Sequence, residues 1–293
     1  MAGNDSMAAG RMVMDDLMNF RAPAHVRDFS FASGTTFLGG FQEMATVVLG
    51  YFLLIRVLKA VMTNRKGLEL GTIVTAHSFF LTVVSAALFA GFAVVLFDKA
   101  RTYSPWEMIC SFEFHEDGRL QTLYYLNYLV KWYELLDTVI LVLRKKEVIF
   151  LHEYHHAATL FLCWIQMDQH STVQWVPISI NLLVHIFMYY YYALASMKIQ
   201  PWWKRYLTQL QIVQFVVDIA ACVYASSHEP VISGLGISRF FPQRPRCNGT
   251  LEGATVGVGI IGSYLVLFII FYANTYYARK AKGSKGSKGS KAQ

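Results

Sequence analysis

The sequence predicts an all-α membrane protein that crosses the bilayer seven times. Of its 293 residues, 55% are hydrophobic and only 15% are charged, whereas soluble domains carry roughly 25% charged residues. The apolar residues fall into seven runs of about 20 or more residues, the length that a helix needs to span a bilayer. These runs cover residues 43–62, 72–96, 121–143, 148–167, 173–195, 206–226 and 254–277.

The runs divide the chain into three segments. Residues 1–40 are predicted to be a polar lumenal segment without a cleaved signal peptide, residues 41–278 the membrane domain, and residues 279–293 a disordered basic tail. The tail repeat KAKGSKGSKGSK suits either contact with anionic head groups or simple solubilisation. The net charge of +7 does not indicate nucleic acid, because Lys and Arg lie mostly in short loops and in the tail.

The distribution of basic residues predicts the orientation in the membrane. They concentrate after the first, third and fifth runs and in the tail, and include residues 144–146, Lys198, Lys204 and Arg205. Short loops rich in Lys and Arg remain on the cytoplasmic side. The tail is therefore expected to be cytoplasmic and, after seven crossings, the N-terminus lumenal.

Two features of the loops agree with this orientation. The glycosylation sequon that begins at Asn248 lies in a loop predicted to be lumenal. Cys110 and Cys247 lie in two predicted lumenal loops, where an oxidising compartment permits a disulfide. Cys163 and Cys222 fall inside apolar runs and are expected to be packing residues.

Three histidines stand together in the fourth run, in the segment HEYHH. The spacings between His152, His155 and His156 are expected to place all three rings on one face of a helix. Imidazole titrates near neutral pH and serves as base, nucleophile and metal ligand. Packing alone does not explain three such rings at one level of a membrane helix.

The third run carries four polar side chains: Lys131, Glu134, Asp137 and Thr138. Charges at membrane depth cost several kcal/mol each unless they are paired or face a polar cavity. Lys131 and Glu134 are one turn apart and can pair, as can Glu134 and Thr138. Two compatible interpretations remain, an ion pair that joins helices and the polar wall of an active site.

The fifth run contains a polar stripe of five residues at helical spacing: Asn181, His185, Met188, Tyr189 and Tyr192. Asn181 lies one turn before His185 and is expected to orient its ring. The tyrosines suit either this site or an aromatic belt at the membrane interface. Because the fourth run already carries three histidines, we interpret His185 as functional.

The sixth run opens with Thr208, Gln211 and Gln214, spaced every three residues, and Asp218 follows one turn later. Amides in a membrane helix commonly bridge to other helices. This stripe is therefore expected to face the interior of the protein.

The histidine segment admits three chemistries. His152, Glu153 and His156 match the zinc-protease motif H-E-x-x-H, with Asp218 as the available third ligand. A di-iron oxygenase needs several histidine boxes, and this sequence has one. The third chemistry is metal-free: a neutral imidazole attacks a thioester to give an acyl-imidazole, or removes a proton.

Four segments together resemble a known family. KWYELLDT, HEYHH, NLLVHIFMYYYY and TQLQIVQ resemble, in order and spacing, the signature segments of the ELO family, the fatty-acid elongases of the endoplasmic reticulum. The resemblance covers about residues 40–280, and the flanking stretches are similar to its fungal branch. It implies a 3-ketoacyl-CoA synthase that condenses a long-chain acyl-CoA with malonyl-CoA and releases CO2 and CoA. It also implies six helices in an inverted barrel around an acyl tunnel, with a seventh helix alongside.

The resemblance implies roles for individual residues. His155 and His185 are expected nearest the chemistry, with His152 and His156 orienting the site or handling protons, and no metal or cofactor is expected. Eleven further residues are expected at the substrate cavity: Lys131, Glu134, Asp137, Thr138, Asn181, Met188, Tyr189, Tyr192, Thr208, Gln211 and Gln214. Lys204 and Arg205 are expected to attract CoA phosphates, and a lumenal disulfide Cys110–Cys247 and glycosylation of Asn248 are expected. The implied partners are membrane lipid and the ketoacyl reductase, dehydratase and enoyl reductase of the elongation cycle, and homo-oligomerisation stays open.

Overall fold

The computed structural model describes residues 22–226 and 247–277, whose regular elements are all helices. In chain order they are α1 (Ala24–Arg27), α2 (Phe41–Met62), α3 (Gly71–Lys99), α4 (Pro105–Cys110), α5 (Phe112–His115), α6 (Gly118–Leu143), α7 (Phe150–Asp168), α8 (Trp175–Ser196), α9 (Lys204–Ser226) and α10 (Leu251–Tyr272). A 3₁₀ turn (Thr172–Gln174) leads into α8, and a π-helical turn (Ala273–Tyr277) follows α10. The predicted basic tail and the first 21 residues of the predicted lumenal segment lie outside the described residues.

Each of the seven predicted apolar runs coincides with one long helix, and the ends differ by a few residues. Within the described residues, five helices are long and apolar enough to cross a membrane: α2, α3, α8 with its leading turn, α9 and α10. The remaining two, α6 and α7, carry the polar residues of the third and fourth runs. The protein is therefore a multi-pass helical membrane protein.

The long helices follow a closed packing order. α3 packs on α8, α8 on α9, α9 on α10, α10 on α7, α7 on α6, and α6 returns to α3. α2 packs against both α6 and α7. The two polar helices are thus neighbours, and each also contacts apolar helices on its other flank.

The polarity of the bundle is reversed relative to a soluble protein. Apolar side chains such as Leu53 and Val83 are 66% and 65% exposed, while Lys131, Glu134 and Asp218 are buried. In water this arrangement would be unfavourable both outside and inside, because the apolar exterior would be exposed to water and the buried charges would lose their hydration. Surrounding lipid removes the first cost, and internal partners reduce the second.

The start of α6 is fixed by Asp117. Its carboxylate accepts the backbone N–H of Arg119 at 2.9 Å, which caps the helix. It also pairs with Lys99 at 2.8 Å and with the Arg119 guanidinium at 2.9 Å. Burial raises the pKa of Asp117, but the hydrogen bonds from Arg119 and Lys99 outweigh it and lower this pKa to about 2. The next residue is Gly118, and a larger residue would not fit there because its Cβ would overlap the carbonyl of Arg27.

Candidate active site

A buried ion pair lies at the centre of α6. The Lys131 ammonium donates to both oxygens of Glu134, at 2.9 and 3.1 Å, and to Asn181 Oδ1 at 3.0 Å. Only 3% of Lys131 and 2% of Glu134 are exposed. The predicted pairing of these two residues is therefore present, and a side chain from α8 completes it.

The same network orients the ring of His185. Because Asn181 Oδ1 accepts from Lys131, its amide nitrogen faces His185 Nε2, at 3.3 Å. Nε2 then accepts and the proton lies on Nδ1, which is 3.2 Å from Glu134 Oε1. A carboxylate on Nδ1–H holds the ring and fixes its tautomer. This carboxylate–imidazole arrangement is the one that general bases use in acyl transfer.

Thr138 has a different partner from the one the sequence predicts. Its hydroxyl lies 2.7 Å from the Tyr51 hydroxyl of α2, and the predicted contact with Glu134 is absent from the described contacts. The side chain faces the α2 neighbour of α6, whereas Glu134 faces α8. The prediction was wrong because spacing along one helix does not determine which neighbouring helix a residue faces.

A second polar group surrounds Asp137. Its carboxylate accepts the Tyr189 hydroxyl at 2.7 Å and lies 2.5 Å from His77 Nε2 and 3.9 Å from His156 Nε2. His77 also contacts the Tyr133 hydroxyl, at 3.1 Å. Sequence reasoning missed His77 because it stands alone in α3. Its position inside an apolar membrane run was the available signal, since ionisable groups there are usually functional.

The rings of HEYHH point in two directions. His152 and His156 lie together, with ring centroids 4.4 Å apart, and His156 faces Asp137. His155 packs against Tyr264 of α10, at 4.8 Å between centroids, and meets the His156 ring only edge-on, at 5.7 Å. The expectation that all three share one face was too simple, because residues 155 and 156 are about 100° apart around the helix.

Glu153 points away from these rings. It forms ion pairs with Lys59 and with Arg56, the latter at 3.3 Å, both on α2. A zinc protease needs this glutamate beside the metal-bound water. The orientation argues against that alternative. Among the described residues, the histidines of HEYHH also do not belong to any group of three ligand atoms close enough to share an ion.

His155 lies on the wall of a partly open cavity between the helices. The space, counted together with the solvent at its open side, is about 680 Å³ and extends from Lys131, His155 and Tyr264 to Gln174 and Cys222. Five helices and the 3₁₀ turn contribute its lining residues. Along α7 the lining runs from His155 to Gln166, eleven residues or about 16 Å of helical rise. A space of this length suits part of an extended apolar chain.

The comparisons with known proteins give one family. Residues 36–284 match the model of the ELO: GNS1/SUR4 family. The chain belongs to the GNS1/SUR4 family. It is 40% identical to a Schizosaccharomyces pombe protein provisionally named fatty acid elongase 1, over 87% of this chain and 75% of that one. It is 36% identical to fatty acid elongase A of Dictyostelium discoideum, over 78% and 80% of the two chains.

In this GNS1/SUR4 protein, some of the other predicted substrate residues line the cavity and others do not. Asn181 and Gln214 line it, together with Lys131 and His155. Gln211 donates to the Met188 sulfur at 3.6 Å and joins α9 to α8. Most of the other lining residues were not predicted for the site, among them the polar side chains of Asp218 and Asn127.

Four further predicted residues lie outside the cavity lining. Tyr192 is 39% exposed, whereas Thr208 is buried. Arg205 is at the start of α9, where it is exposed and donates to the Tyr272 hydroxyl at 2.8 Å. Lys204 lies beside it, with its ammonium 5.8 Å from the Tyr191 ring. Both cations therefore lie at a helix end, where soluble anions have access.

The opposite end of the bundle carries the cysteines. A disulfide joins Cys110 to Cys247, and both the backbone and the side-chain nitrogen of Asn248 donate to the Cys110 carbonyl, at 3.0 and 3.2 Å. Cys163 and Cys222, expected to be packing residues, both line the cavity. In this family member, a disulfide thus joins the segments at one end of the helix bundle, and exposed basic residues lie at the other end.

Proposed function

We propose that this protein is a 3-ketoacyl-CoA synthase, the condensing enzyme of fatty-acid elongation. Family membership and the names of the relatives support a role in fatty-acid elongation in general. One observation carries the specific activity: His155 lies on the wall of a long cavity beside Lys131, which is bound to Glu134 and Asn181. The same carboxylate and amide hold His185.

In the first half-reaction, an acyl chain fills the cavity and its thioester lies beside His155. A ring nitrogen of His155 attacks the carbonyl carbon, a C–N bond forms and the C–S bond breaks. The proton of the imidazole passes through His185 to the CoA thiolate. We assign His155 as the acceptor because, of the three HEYHH histidines, it is the one that lines the cavity.

In the second half-reaction, malonyl-CoA loses CO2, and the electrons of the broken C–C bond form an enolate. The enolate carbon attacks the acyl carbon, and the C–N bond to His155 breaks. One proton from water passes through His185 to the released ring nitrogen, so that the reaction yields 3-ketoacyl-CoA and regenerates the enzyme. Glu134 and Asn181 hold His185 in the tautomer that this relay needs.

We further propose that seven helices span the membrane of the endoplasmic reticulum, six of them as an inverted barrel around the acyl tunnel. The closed packing order of α3, α8, α9, α10, α7 and α6 supports this arrangement. The disulfide and Asn248, which would carry a glycan, then lie in the lumen, and Lys204 and Arg205 meet CoA phosphates in the cytosol. The reductases and dehydratase of the elongation cycle are the expected partners.

The test uses the purified full-length protein with radiolabelled malonyl-CoA and acyl-CoA donors from C16 to C24. We expect a labelled 3-ketoacyl-CoA from the unmodified protein and none from His155→Ala. With acyl-CoA alone, the unmodified protein should release CoA up to one equivalent and His155→Ala should release none. His25→Ala, an exposed histidine on α1, is the control and should retain both activities. Absence of product across all donors would refute the proposal.

A further inference from the structure

A second group of titratable side chains lies at the disulfide end of the bundle, far from the proposed chemistry. His115 ends α5, Glu116 follows it, and His170 lies in the loop after α7. One ligand atom from each residue lies within 4.8 Å of the other two. His170 Nδ1 is 3.5 Å from Glu116 Oε1. Two imidazoles and a carboxylate are a donor set that proteins use for zinc.

Two polar atoms in this group have no hydrogen-bond partner. His115 is completely buried and its Nδ1 has no hydrogen-bond partner. The buried Oε1 of Glu116 has none either, and its ion-pair contact is the His170 ring at 3.5 Å. Such atoms are uncommon in folded proteins, because a buried polar group without a hydrogen bond is destabilising. A cation between the two rings and the carboxylate would satisfy both atoms at once.

Gln121 can serve as the outer partner of His115. Its side-chain nitrogen lies 2.9 Å from His115 Nε2 and 3.0 Å from the His115 carbonyl. Ligation through Nδ1 places the ring proton on Nε2, so Gln121 would have to turn its side-chain oxygen to that proton and give up its bond to the His115 carbonyl. An oxygen acceptor on the far nitrogen is the usual support of a metal-bound imidazole.

The backbone presents His170 to the group. His170 has a left-handed backbone conformation, with φ of 48°. Its N–H donates to the Met167 carbonyl, and the Ser171 N–H donates to the Gln166 carbonyl. These two bonds form a common helix-ending turn that usually has glycine at the position of His170. The side chain of His170 is 47% exposed, so solvent reaches the open side of the group.

We propose that His115, Glu116 and His170 bind one Zn²⁺, with water as the fourth ligand on the exposed side. Tetrahedral zinc with nitrogen and oxygen ligands at 2.0–2.2 Å places ligand atoms about 3.4 Å apart, so side-chain movements of about 1 Å close the site. The ion would tie the segment after α5 to the end of α7, beside the disulfide. It has no part in the condensation chemistry.

The experiment measures zinc binding by the full-length protein, purified in detergent through a tag that contains no histidine. After dialysis against a chelator, calorimetry with ZnCl2 should give one equivalent bound, and zinc should raise the melting temperature. His170→Asn should weaken binding by at least about a hundredfold, since even changes to outer partners cost 10–100-fold. Asparagine also tolerates the left-handed backbone, so this variant should fold.

Glu116→Gln should weaken zinc binding to a similar degree. The matched control Glu113→Gln, an exposed residue three positions earlier, should bind like the unmodified protein. Absence of bound zinc in the unmodified protein, or equal affinity in His170→Asn, would overturn the proposal. None of these readouts depends on elongase activity.

Discussion

Replacement of Glu134 by glutamine tests whether the central ion pair is structural, functional or both. In the unmodified protein the Lys131 ammonium is buried and donates to two carboxylate oxygens. Glutamine leaves that cation without a counter-charge, and breaking one partner of a buried pair costs about 3–5 kcal/mol. His185 also loses the carboxylate on Nδ1, and by analogy with other carboxylate–imidazole pairs the turnover should fall by about 10⁴-fold.

A double variant separates the two effects. Lys131→Met with Glu134→Leu removes both charges, and apolar replacements of a buried pair are often neutral for stability. We expect the melting temperature in detergent to return towards that of the unmodified protein while condensation stays undetectable. Glu69→Gln, an exposed glutamate outside the helices, is the control for both assays. Condensing activity in the double variant, or full stability and activity in Glu134→Gln, would refute the reasoning.

Three further predictions concern other parts of the bundle. Asp137→Asn removes the charge that His77 and Tyr189 contact, and should reduce condensation more than it lowers the melting temperature; an unchanged rate would separate this group from the site. Cys247→Ser opens a loop of 137 residues and should cost about 2–5 kcal/mol of stability, which thermal unfolding with and without reductant measures. Cys222→Trp fills the cavity two turns beyond Phe215 and should shift the preferred donors to shorter chains; an unchanged product profile would place the acyl chain elsewhere.

The stability of α6 gives one more prediction. Asp117→Ala removes the N-cap and the acceptor of two cations, and should cost about 1–2 kcal/mol for the cap alone. Asp117→Asn retains a capping oxygen and should lose less. Thermal unfolding of the two variants checks the order, and equal losses would show that the cap contributes little.

Much of the fold could be predicted from the sequence because bilayer thickness constrains helix length. All seven apolar runs became helices, including α6 and α7, whose polar residues lower their hydropathy. The pairing of Lys131 with Glu134 was also predictable, since residues three apart are neighbours on a helix. Contacts between helices were harder, because they depend on rotation about each axis. The spacing of residues along the sequence therefore did not predict that Thr138 contacts Tyr51, or that His155 is oriented differently from His152 and His156.

The sequence predicted which residues belong to the site better than it predicted which of them contact each other. His77 was missed because its partner, Asp137, lies 60 positions later in the chain. Glu153 belongs to the same motif as the histidines, yet its partners lie on α2. A motif specifies which groups are available, and packing determines which of them meet.

The polar character of α6 and α7 has a consequence for how the protein is made. A helix with a lysine and two acids near its middle is poorly retained by lipid on its own, because each such residue opposes entry by about 2.5–3.5 kcal/mol. The hydrogen-bond partners of Lys131 and Asp137 include Asn181 and Tyr189 of α8, which emerges from the ribosome later than α6. Stable integration of the middle of the chain therefore waits for its later part, and chains truncated before α8 should be withdrawn from the bilayer and degraded.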